Sequence, residues 1–304
     1  MSFIIGVDIG GTKIALGIVK EDGNVIEKNV IATNTTIAPE QMIDQICQEI
    51  DSLLTKSSLS INEIQGIGIG APGPLAQEEG EIICPPNLPN WRNIKIVNQI
   101  KQYFNCPVYL ENDANAATLA EKWVGAAKVN NNFIYMTIST GIGAGLYLNG
   151  KLFSGSSGSA GEIGHMVVDP SYGQCKCGQR GCFEYVASGT AIARLGSEKI
   201  NKDLSTKEVF ELYSAGNEQI IPIVEDVFKN IGSSCVTLIN IFDPEKIVIG
   251  GGVSKVGEPL FNSVRDYVKK YALSPMGRET KIVPSGLGQD TGIIGAAALV
   301  VSQK

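Results

Sequence analysis

His165, the single histidine of the chain, lies ten residues before the first of three closely spaced cysteines, Cys175, Cys177 and Cys182. Three thiolates and one imidazole complete a tetrahedral zinc shell and leave no position for water, which is the pattern of a structural metal site. The alternative is that these cysteines are ordinary small core residues, but their spacing and intervening glycines such as Gly178 favour a backbone that wraps around an ion. The sequence therefore predicts a structural zinc site within residues 165–182, here called the zinc loop.

Glu162 and Glu184 flank the zinc loop. Isolated glutamates in loops are most often solvated carboxylates. Here the metal would pin both ends of the loop, so that these two carboxylates and His165 keep fixed relative positions. Because convergent hydrogen-bonding groups of this kind suit hydroxyl groups, we expect the segment to bind a polyol.

A second group of polar residues follows a predicted strand that begins at Val108. Asp113 precedes an alanine-rich helix, so one interpretation is that it is only the N-cap of that helix. Asn112 and Asp113 also lie at the carboxyl end of a strand, where open α/β sheets bind ligands. Since the chain has no second histidine to act as a base, a carboxylate is the remaining candidate. Both interpretations stay open from the residues alone.

Glycine, with 35 residues, is concentrated in discrete turns. Two turns have the same form in residues 3–19 and 133–148: a buried strand, a turn with glycine and threonine, and a returning strand. Two such units about 130 residues apart indicate an internal duplication, in which two lobes present similar phosphate-binding hairpins to a shared cleft. The sequence thus predicts an α/β fold with two related lobes.

The tips of the two hairpins carry groups that can bind phosphate. Thr12, Thr140 and the amides beside Gly11 and Gly141 would donate hydrogen bonds to β- and γ-phosphate oxygens. Asp8, at the end of the first strand, could hold Mg²⁺ through water, or it could be a satisfied turn residue. Each hairpin alone could be an ordinary tight turn, so the prediction rests on the occurrence of two.

Two further glycine turns follow predicted strands. Gly250–Val253 lies between a β-branched strand and a predicted helix over 259–271, an arrangement that brings backbone amides to a nucleotide. It lacks the G-x-G-x-x-G spacing, and a loop packed against its own helix is the alternative. Gly66–Pro74 is typical of a central strand that runs into a binding loop.

Composition limits the classes of protein to which the chain can belong. Its 304 residues are 43% hydrophobic and 18% charged, enough for a large core divided between two lobes. The net charge is −6 and Lys and Arg form no stripe, so we expect no nucleic-acid partner and no membrane partner. We also expect no leader and no membrane span, and the scattered remaining cysteines fit a reducing compartment. The sequence therefore predicts a soluble, cytoplasmic protein.

Taken together, these motifs resemble the repressor, open reading frame and kinase (ROK) family over essentially the whole chain. The motifs that carry the resemblance are Asp8–Lys13, Glu111–Ala117, Ser139–Gly143, Gly161–His165, Cys175–Cys182 with Glu184, and Gly250–Val253. Within the family, the chain is most similar to the zinc-containing bacterial glucokinases. The resemblance implies a duplicated two-lobe, actin-like ATPase fold of the ribonuclease H-like type, with a central nucleotide and sugar cleft. It also implies transfer of the γ-phosphoryl group of ATP to the 6-hydroxyl of glucose, with Mg²⁺ and a structural Zn²⁺.

The resemblance implies roles for individual residues as well. Asp113 matches the general base, and the matching zinc ligands are His165, Cys175, Cys177 and Cys182. One nitrogen of His165 would bind zinc and the other would reach the sugar. The sugar-binding positions match Gly73, Asn87, Asn112, Asp113, Glu162, His165 and Glu184. The nucleotide-binding positions match Asp8, Gly10, Gly11, Thr12, Lys13, Thr140, Gly141, Gly251 and Gly252.

The chain departs from the family pattern at a few positions. Ser156–Ser159 replaces a run richer in glycine, Ala144 stands where glycine is frequent, and Phe183 replaces a usual leucine. Pro170–Gly173 also differs from the usual residues before the first cysteine. The first three changes remove no polar functional group, whereas the change at Pro170–Gly173 bears on the shape of the zinc loop and on the sugar preference.

Two alternative functions follow from the same resemblance. The first is a kinase for N-acetylmannosamine, N-acetylglucosamine, fructose or allose, since pocket volume depends on loops whose placement spacing does not reveal. The second is a non-catalytic, sugar-sensing regulator. Regulators of this family carry a helix-turn-helix before the first strand, which here is expected to start at Phe3, and the acidic charge also disfavours DNA binding.

The predicted domain organisation assigns residues 1–113 and about 290–304 to a small α/β lobe and residues 114–289 to a large α/β lobe with the zinc loop. A helix is predicted over Pro39–Lys56, where apolar residues recur at helical spacing. A long apolar helix around Ile220–Phe242 could serve a subunit interface or pack within the chain. By analogy with relatives, we expect a homodimer or homotetramer.

Overall fold

The computed structural model describes residues 2–303, which form two compact units. The first unit comprises the chain up to Val129, the segment Leu152–Ala160 and the chain from Gly286 on. The second comprises Asn130–Lys151 and Gly161–Ser285. Along the chain, the two units meet at other residues than the predicted boundaries at 113 and about 290. Their assignment as a small and a large lobe stays a prediction.

The first unit contains a five-stranded sheet and a short two-stranded hairpin, with strands β1 (Phe3–Ile9), β2 (Lys13–Lys20), β3 (Val25–Ala32), β4 (Ile64–Ala71), β5 (Leu75–Ala76), β6 (Glu81–Ile82) and β7 (Val108–Asn112). The order in the sheet is β3-β2-β1-β4-β7, and the hairpin pairs β5 with β6. Strands β1 to β3 are antiparallel, whereas β4 and β7 run parallel to β1. The hairpin predicted for residues 3–19 is therefore confirmed.

The parallel strands β1, β4 and β7 end at one edge of this sheet. In their register Asp8 lies opposite Gly70, Gly70 lies opposite Glu111, and Ala71 lies opposite Asn112. Residues far apart in the sequence therefore meet at the edge where sheets of this kind bind ligands.

The helices of the first unit, numbered along the whole chain, are α1 (Pro39–Lys56), α2 (Ile96–Tyr103), α3 (Asp113–Trp123) and α9 (Thr291–Val301). Helix α1 has the predicted bounds and buries its apolar stripe. Helix α9 packs directly on strands β1 and β4. A Cβ at Gly6 or Gly68 would overlap the carbonyl oxygens of Ile293 or Ala296, so these glycines let the helix backbone touch the sheet.

The second unit repeats the arrangement of the first. Its strands are β8 (Phe133–Ile138), β9 (Ile142–Leu148), β11 (Lys246–Gly250) and β12 (Lys281–Pro284), and β10 (Lys151–Phe153) lies where the chain leaves the unit. Strand β8 pairs antiparallel with β9 and parallel with β11, as β1 pairs with β2 and β4. The shared topology agrees with the duplication that the glycine turns predict.

Five helices complete the second unit: α4 (Phe183–Ala187), α5 (Gly189–Ile200), α6 (Thr206–Ser214), α7 (Ile221–Phe242) and α8 (Glu258–Tyr271). Helix α7 matches the long apolar helix expected from the sequence and buries residues such as Val227, Phe228 and Ile231 within its own unit. Over residues 2–303, none of the helices combines the length and the apolar character that a bilayer span requires.

Candidate active site

Asn112, and not Asp113, caps helix α3. The Asn112 side-chain oxygen accepts hydrogen bonds from the amides of Ala114 at 2.9 Å and Asn115 at 3.4 Å. The interpretation of Asp113 as the N-cap is therefore wrong. Because backbone N–H groups only donate, the Asn112 oxygen must face the helix, and its Nδ2 group turns the other way. A Cβ on Gly73 would lie 3.6 Å from that Nδ2, so the structure brings Gly73 and Asn112 together.

Asp113 is the first residue of α3 and is exposed, whereas the residues that follow it are buried. Its Oδ1 accepts a hydrogen bond from the amide of Ala114 at 2.8 Å. A carboxylate in the first turn of a helix is stabilised in its charged form by the orphan amides and the helix dipole. Asp113 is thus an accessible acceptor at the end of a strand.

Glu111 supports this pair and was missed by the sequence analysis. Its Oε1 accepts three hydrogen bonds, from Gln77 Nε2 at 3.0 Å, the Asn112 amide at 2.8 Å and Asn115 Nδ2 at 3.0 Å. One carboxylate oxygen therefore joins the end of β7, the start of α3 and the segment after β5. Only the spacing between Glu111 and Asn115, one helical turn, could have suggested part of this arrangement.

Asp8 lies next to this centre on strand β1. Burial, and after it the negative charge of Asp113, raises the pKa of Asp8 from 3.8 to about 6, and Lys13 partly opposes this effect. A Cβ on Gly292 would overlap the Asp8 carboxylate, so this carboxylate sits against the first turn of α9. Two neighbouring carboxylates, of which Asp8 has a raised pKa, form a site that a cation would stabilise.

The first glycine hairpin lies beside the loop that carries Asn87, a predicted sugar-binding residue. The Gly10 amide donates to the Lys13 carbonyl at 2.9 Å and closes the turn, and Thr12 at its tip is exposed. A Cβ on Gly11 would lie 2.9 Å from the Cβ of Asn87. The turn and the loop that carries Asn87 are therefore in direct contact within the first unit.

In the second unit, Glu184 lies against the second glycine hairpin. Its Oε2 accepts a hydrogen bond from the Ile142 amide at 2.9 Å, and a Cβ on Gly141 would overlap the same oxygen. A Cβ on Gly164 would lie 3.4 Å from the Cβ of Glu184. The structure thus brings the predicted sugar residue Glu184 together with the segment that ends at His165 and with the predicted phosphate turn.

The four predicted zinc ligands form one cluster in the second unit. Their ligand atoms all lie within 4.8 Å of one another, with 3.8 Å from His165 Nδ1 to Cys175 Sγ and 3.5 Å from Cys177 Sγ to Cys182 Sγ. Tetrahedral zinc with Zn–S of about 2.3 Å and Zn–N of about 2.0 Å places ligand atoms about 3.5–3.8 Å apart. The cluster therefore has the dimensions of a zinc shell.

The chemistry of the cluster also fits a cation. Burial, together with the neighbouring thiols Cys177 and Cys175, raises the pKa of Cys182 to about 12. Two of the three thiols, Cys175 and Cys182, are buried, and holding them as thiolates needs added positive charge, which a bound metal would supply. Because Nδ1 of His165 faces the cysteines, its Nε2 is the nitrogen left to contact another group.

A cavity of about 1040 Å³ lies within the second unit, next to the second hairpin. It joins Thr140 with Gly252, so two of the predicted nucleotide turns line one space. Thr190 extends this wall, because its Oγ1 donates to the carbonyl of Thr140 at 2.8 Å. No motif in the sequence indicates the other walls, which come from α5, α6 and the turn after β11 and include Thr190, Ser205, Thr206, Lys207, Phe210 and Lys255.

The predicted site residues are divided between the two units. The first unit holds Asp8, Gly10, Gly11, Thr12, Lys13, Gly73, Asn87, Asn112 and Asp113. The second holds Thr140, Gly141, Glu162, His165, Glu184, Gly251, Gly252 and the three cysteines of the cluster. The convergence of both sets on one sugar and one nucleotide stays a prediction.

Comparison with known proteins places these features in context. A model of the ROK family matches residues 4–303. The chain is 35% identical in sequence to the glucokinase of Thermotoga maritima, and the match covers 98% of this chain and 96% of the relative. The crystal structure of a ROK hexokinase from Thermus thermophilus has a TM-score of 0.85 at 32% identity, over 99% of this chain and 100% of that one. A ROK family glucokinase from Streptomyces griseus, in complex with glucose and AMPPNP, has a TM-score of 0.84 at 30% identity, over 99% and 100%.

Proposed function

The chain belongs to the ROK family, and from this premise we propose that it is a glucokinase, which transfers the γ-phosphoryl group of ATP to the 6-hydroxyl of glucose. One observation carries the proposal within the site. The exposed carboxylate of Asp113 stands beside Asn112, whose amide oxygen is fixed by the helix and whose Nδ2 lies on the side of Gly73. An acceptor and a donor side by side are what a sugar hydroxyl requires.

In this proposal Asp113 is the general base. Its carboxylate accepts the proton of the 6-hydroxyl as the oxygen attacks the γ-phosphorus, a role that typically contributes about 10²- to 10⁴-fold in rate. The Nδ2 of Asn112 donates to a neighbouring hydroxyl and orients the ring. Glu111 holds the Asn112 amide and the first turn of α3 in place through its hydrogen bonds to Asn112 and Asn115.

The nucleotide would bind the two glycine hairpins and the cavity of the second unit. The cavity offers the ring of Phe210 and the ammonium groups of Lys207 and Lys255 to a base and its phosphates. Thr12, Thr140 and the neighbouring glycine amides would donate to phosphate oxygens. Asp8, with its raised pKa, would hold Mg²⁺ through water, and the cation would neutralise charge on the phosphates.

Zinc would have a structural role. His165, Cys175, Cys177 and Cys182 would bind it through Nδ1 and three thiolates, and the shell then has no open position for water. The Nε2 of His165, Glu162 and Glu184 would remain to bind hydroxyl groups of the sugar. With its shell closed by these four residues, the metal would fix the groups that recognise the sugar.

The test is a coupled ADP-release assay with Mg·ATP, run with glucose, mannose, fructose, N-acetylmannosamine, N-acetylglucosamine and buffer alone. We compare the wild type with Asp113→Asn and with Asp51→Asn, an exposed aspartate on α1 that serves as the control. Turnover led by glucose, lost by at least about 100-fold in Asp113→Asn and kept in Asp51→Asn, supports the proposal. Preference for another hexose would keep the kinase activity and replace glucose as the proposed substrate. Unchanged turnover in Asp113→Asn contradicts the role of the base.

A further inference from the structure

Tyr172 fastens the zinc loop to helix α7 at a point outside the metal cluster. Its hydroxyl donates a hydrogen bond to Oδ2 of Asp226 at 2.6 Å. Asp226 is held in turn by Asn230, whose Nδ2 donates to the Asp226 carbonyl at 2.9 Å and to its carboxylate at 3.3 Å. Burial, followed by this bond to the carboxylate, raises the pKa of Tyr172 to about 12, so the phenol keeps its proton at neutral pH.

The adjacent residue of the loop rests on an aromatic ring. A Cβ on Gly173 would overlap the hydroxyl of Tyr185, which belongs to α4. Arg194 from α5 holds that ring, since its guanidinium lies 4.3 Å from the ring centroid and donates to the Tyr185 carbonyl at 2.9 Å. The outer part of the zinc loop therefore has a base made by three helices, independent of the metal.

This outer part is connected to the metal ligands through the backbone. The amides of Val168 and Asp169 donate to the Gly181 carbonyl at 2.8 and 3.3 Å, and the Gly181 amide donates to the Gly173 carbonyl at 3.1 Å. Gly181 immediately precedes the ligand Cys182. A displacement of residues 168–173 would therefore also displace a ligand of the cluster.

We propose that Tyr172 is a positioning residue that docks the zinc loop on α7, slows the loss of zinc and keeps His165 in place for the sugar. The inference rests on the proposed zinc site and sugar kinase activity. Tyr172 acts through the loop and touches neither nucleotide nor reacting atoms, so its loss weakens sugar binding and leaves the chemical step unchanged. It lies in Pro170–Gly173, one of the places where this chain departs from the family pattern.

The chain offers a matched control for the test. The hydroxyl of Tyr103 donates to Oδ1 of Asp44 at 2.7 Å in the first unit, so Tyr103→Phe removes the same kind of bond far along the chain from the zinc loop. Asp226→Asn is the second variant, because it keeps a neutral oxygen that can still accept from Tyr172. We compare Tyr172→Phe, Asp226→Asn and Tyr103→Phe with the wild type.

The measurements are zinc content, the rate of zinc transfer to a chromogenic chelator, and kcat and KM for glucose. For Tyr172→Phe we expect roughly tenfold faster zinc release, the factor that a hydrogen bond to a charged acceptor represents in an equilibrium. We also expect a KM for glucose raised about fivefold, with kcat unchanged. Asp226→Asn should give a smaller effect in the same direction, and Tyr103→Phe should match the wild type.

The outcomes separate this inference from the proposed function. Zinc release in Tyr172→Phe at the wild-type rate, or a fall in kcat with KM unchanged, overturns it. If the purified wild type contains no zinc, the zinc site is refuted. Amide hydrogen exchange then tests the docking role: Tyr172→Phe should raise the exchange rate of residues 168–173, and an unchanged rate overturns the docking role. Faster zinc release in a protein that phosphorylates no sugar supports the docking role and refutes the kinase alone.

Discussion

Asp8→Asn should stabilise the first unit while it weakens catalysis. The pKa of Asp8 rises from 3.8 to about 6 in the folded protein, mainly through burial and then through Asp113. At about 1.4 kcal/mol for each pKa unit, ionised Asp8 costs the folded state about 3 kcal/mol at neutral pH. Asparagine has nearly the same shape and no charge, so the substitution removes this cost.

The sign and the pH window follow from linkage. Because the pKa is raised on folding, the folded state binds more protons than the unfolded chain between pH 3.8 and about 6, and the stability contributed by Asp8 falls as pH rises through that window. The gain from Asp8→Asn should therefore be about 3 kcal/mol at pH 7.5 and about 1.5 kcal/mol at pH 5. Below about pH 4 the gain should vanish, since both states are then protonated.

The assay is urea unfolding followed by tryptophan fluorescence. Both tryptophans, Trp91 and Trp123, lie in the first unit with Asp8, so the signal reports on the part of the chain that carries the substitution. The buffer contains no magnesium and no chelator, so that zinc is retained. Asp51→Asn, an exposed aspartate of the same unit, should change the free energy of unfolding by less than about 0.5 kcal/mol.

The same substitution in the Asp113→Asn protein tests what raises the pKa of Asp8. Asp113 raises the pKa of Asp8, so the gain from Asp8→Asn should be smaller in a protein that already carries Asp113→Asn. An equal gain at pH 5 and 7.5, or a loss of stability at pH 7.5, would refute the argument that a buried charge is held at a cost. Stabilisation together with lost turnover would show that the charge is kept for function.

Three other results are expected. Removal of zinc should abolish sugar phosphorylation at temperatures where circular dichroism still reports a folded protein, and full activity in verified zinc-free protein would contradict this. Glu111→Gln should lower kcat/KM for glucose by roughly tenfold and leave the KM for ATP unchanged, because it weakens the acceptor that holds Asn112; an effect on ATP alone would argue against this role. Phe210→Ala should raise the KM for ATP by roughly tenfold with little change for glucose, and an unchanged KM for ATP would remove the cavity from the nucleotide site.

Local patterns in the sequence predicted the elements well. Apolar spacing in residues 39–56 and the two strand, turn, strand units depend on neighbours within a few residues, and the structure has α1 and both hairpins at these places. The three cysteines and His165 were also predictable, since three of the four ligands lie within eight positions. Such features follow from chain geometry before any tertiary contact is known.

Contacts between distant segments were not predictable in the same way. Oε1 of Glu111 meets Gln77, 34 residues away, and Oε2 of Glu184 meets the Ile142 amide, 42 residues away. No periodic pattern in the sequence indicates pairs of residues this far apart. The interpretation of Asp113 as the cap was wrong for another reason, because both residue types cap helices and a shift of one position leaves the pattern unchanged.

The packing of α9 on β1 and β4 has a consequence for how the protein is made on the ribosome. The strand that carries Asp8 is translated long before the helix that covers it, because residues 291–301 follow all of the second unit, Asn130–Lys151 and Gly161–Ser285. Because synthesis proceeds at roughly 5–20 residues per second, one apolar face of β1 and β4 stays uncovered for on the order of ten seconds or more. Gly6 and Gly68 add no side chain to that face, and the waiting strands are the part of the nascent chain where chaperones would be needed.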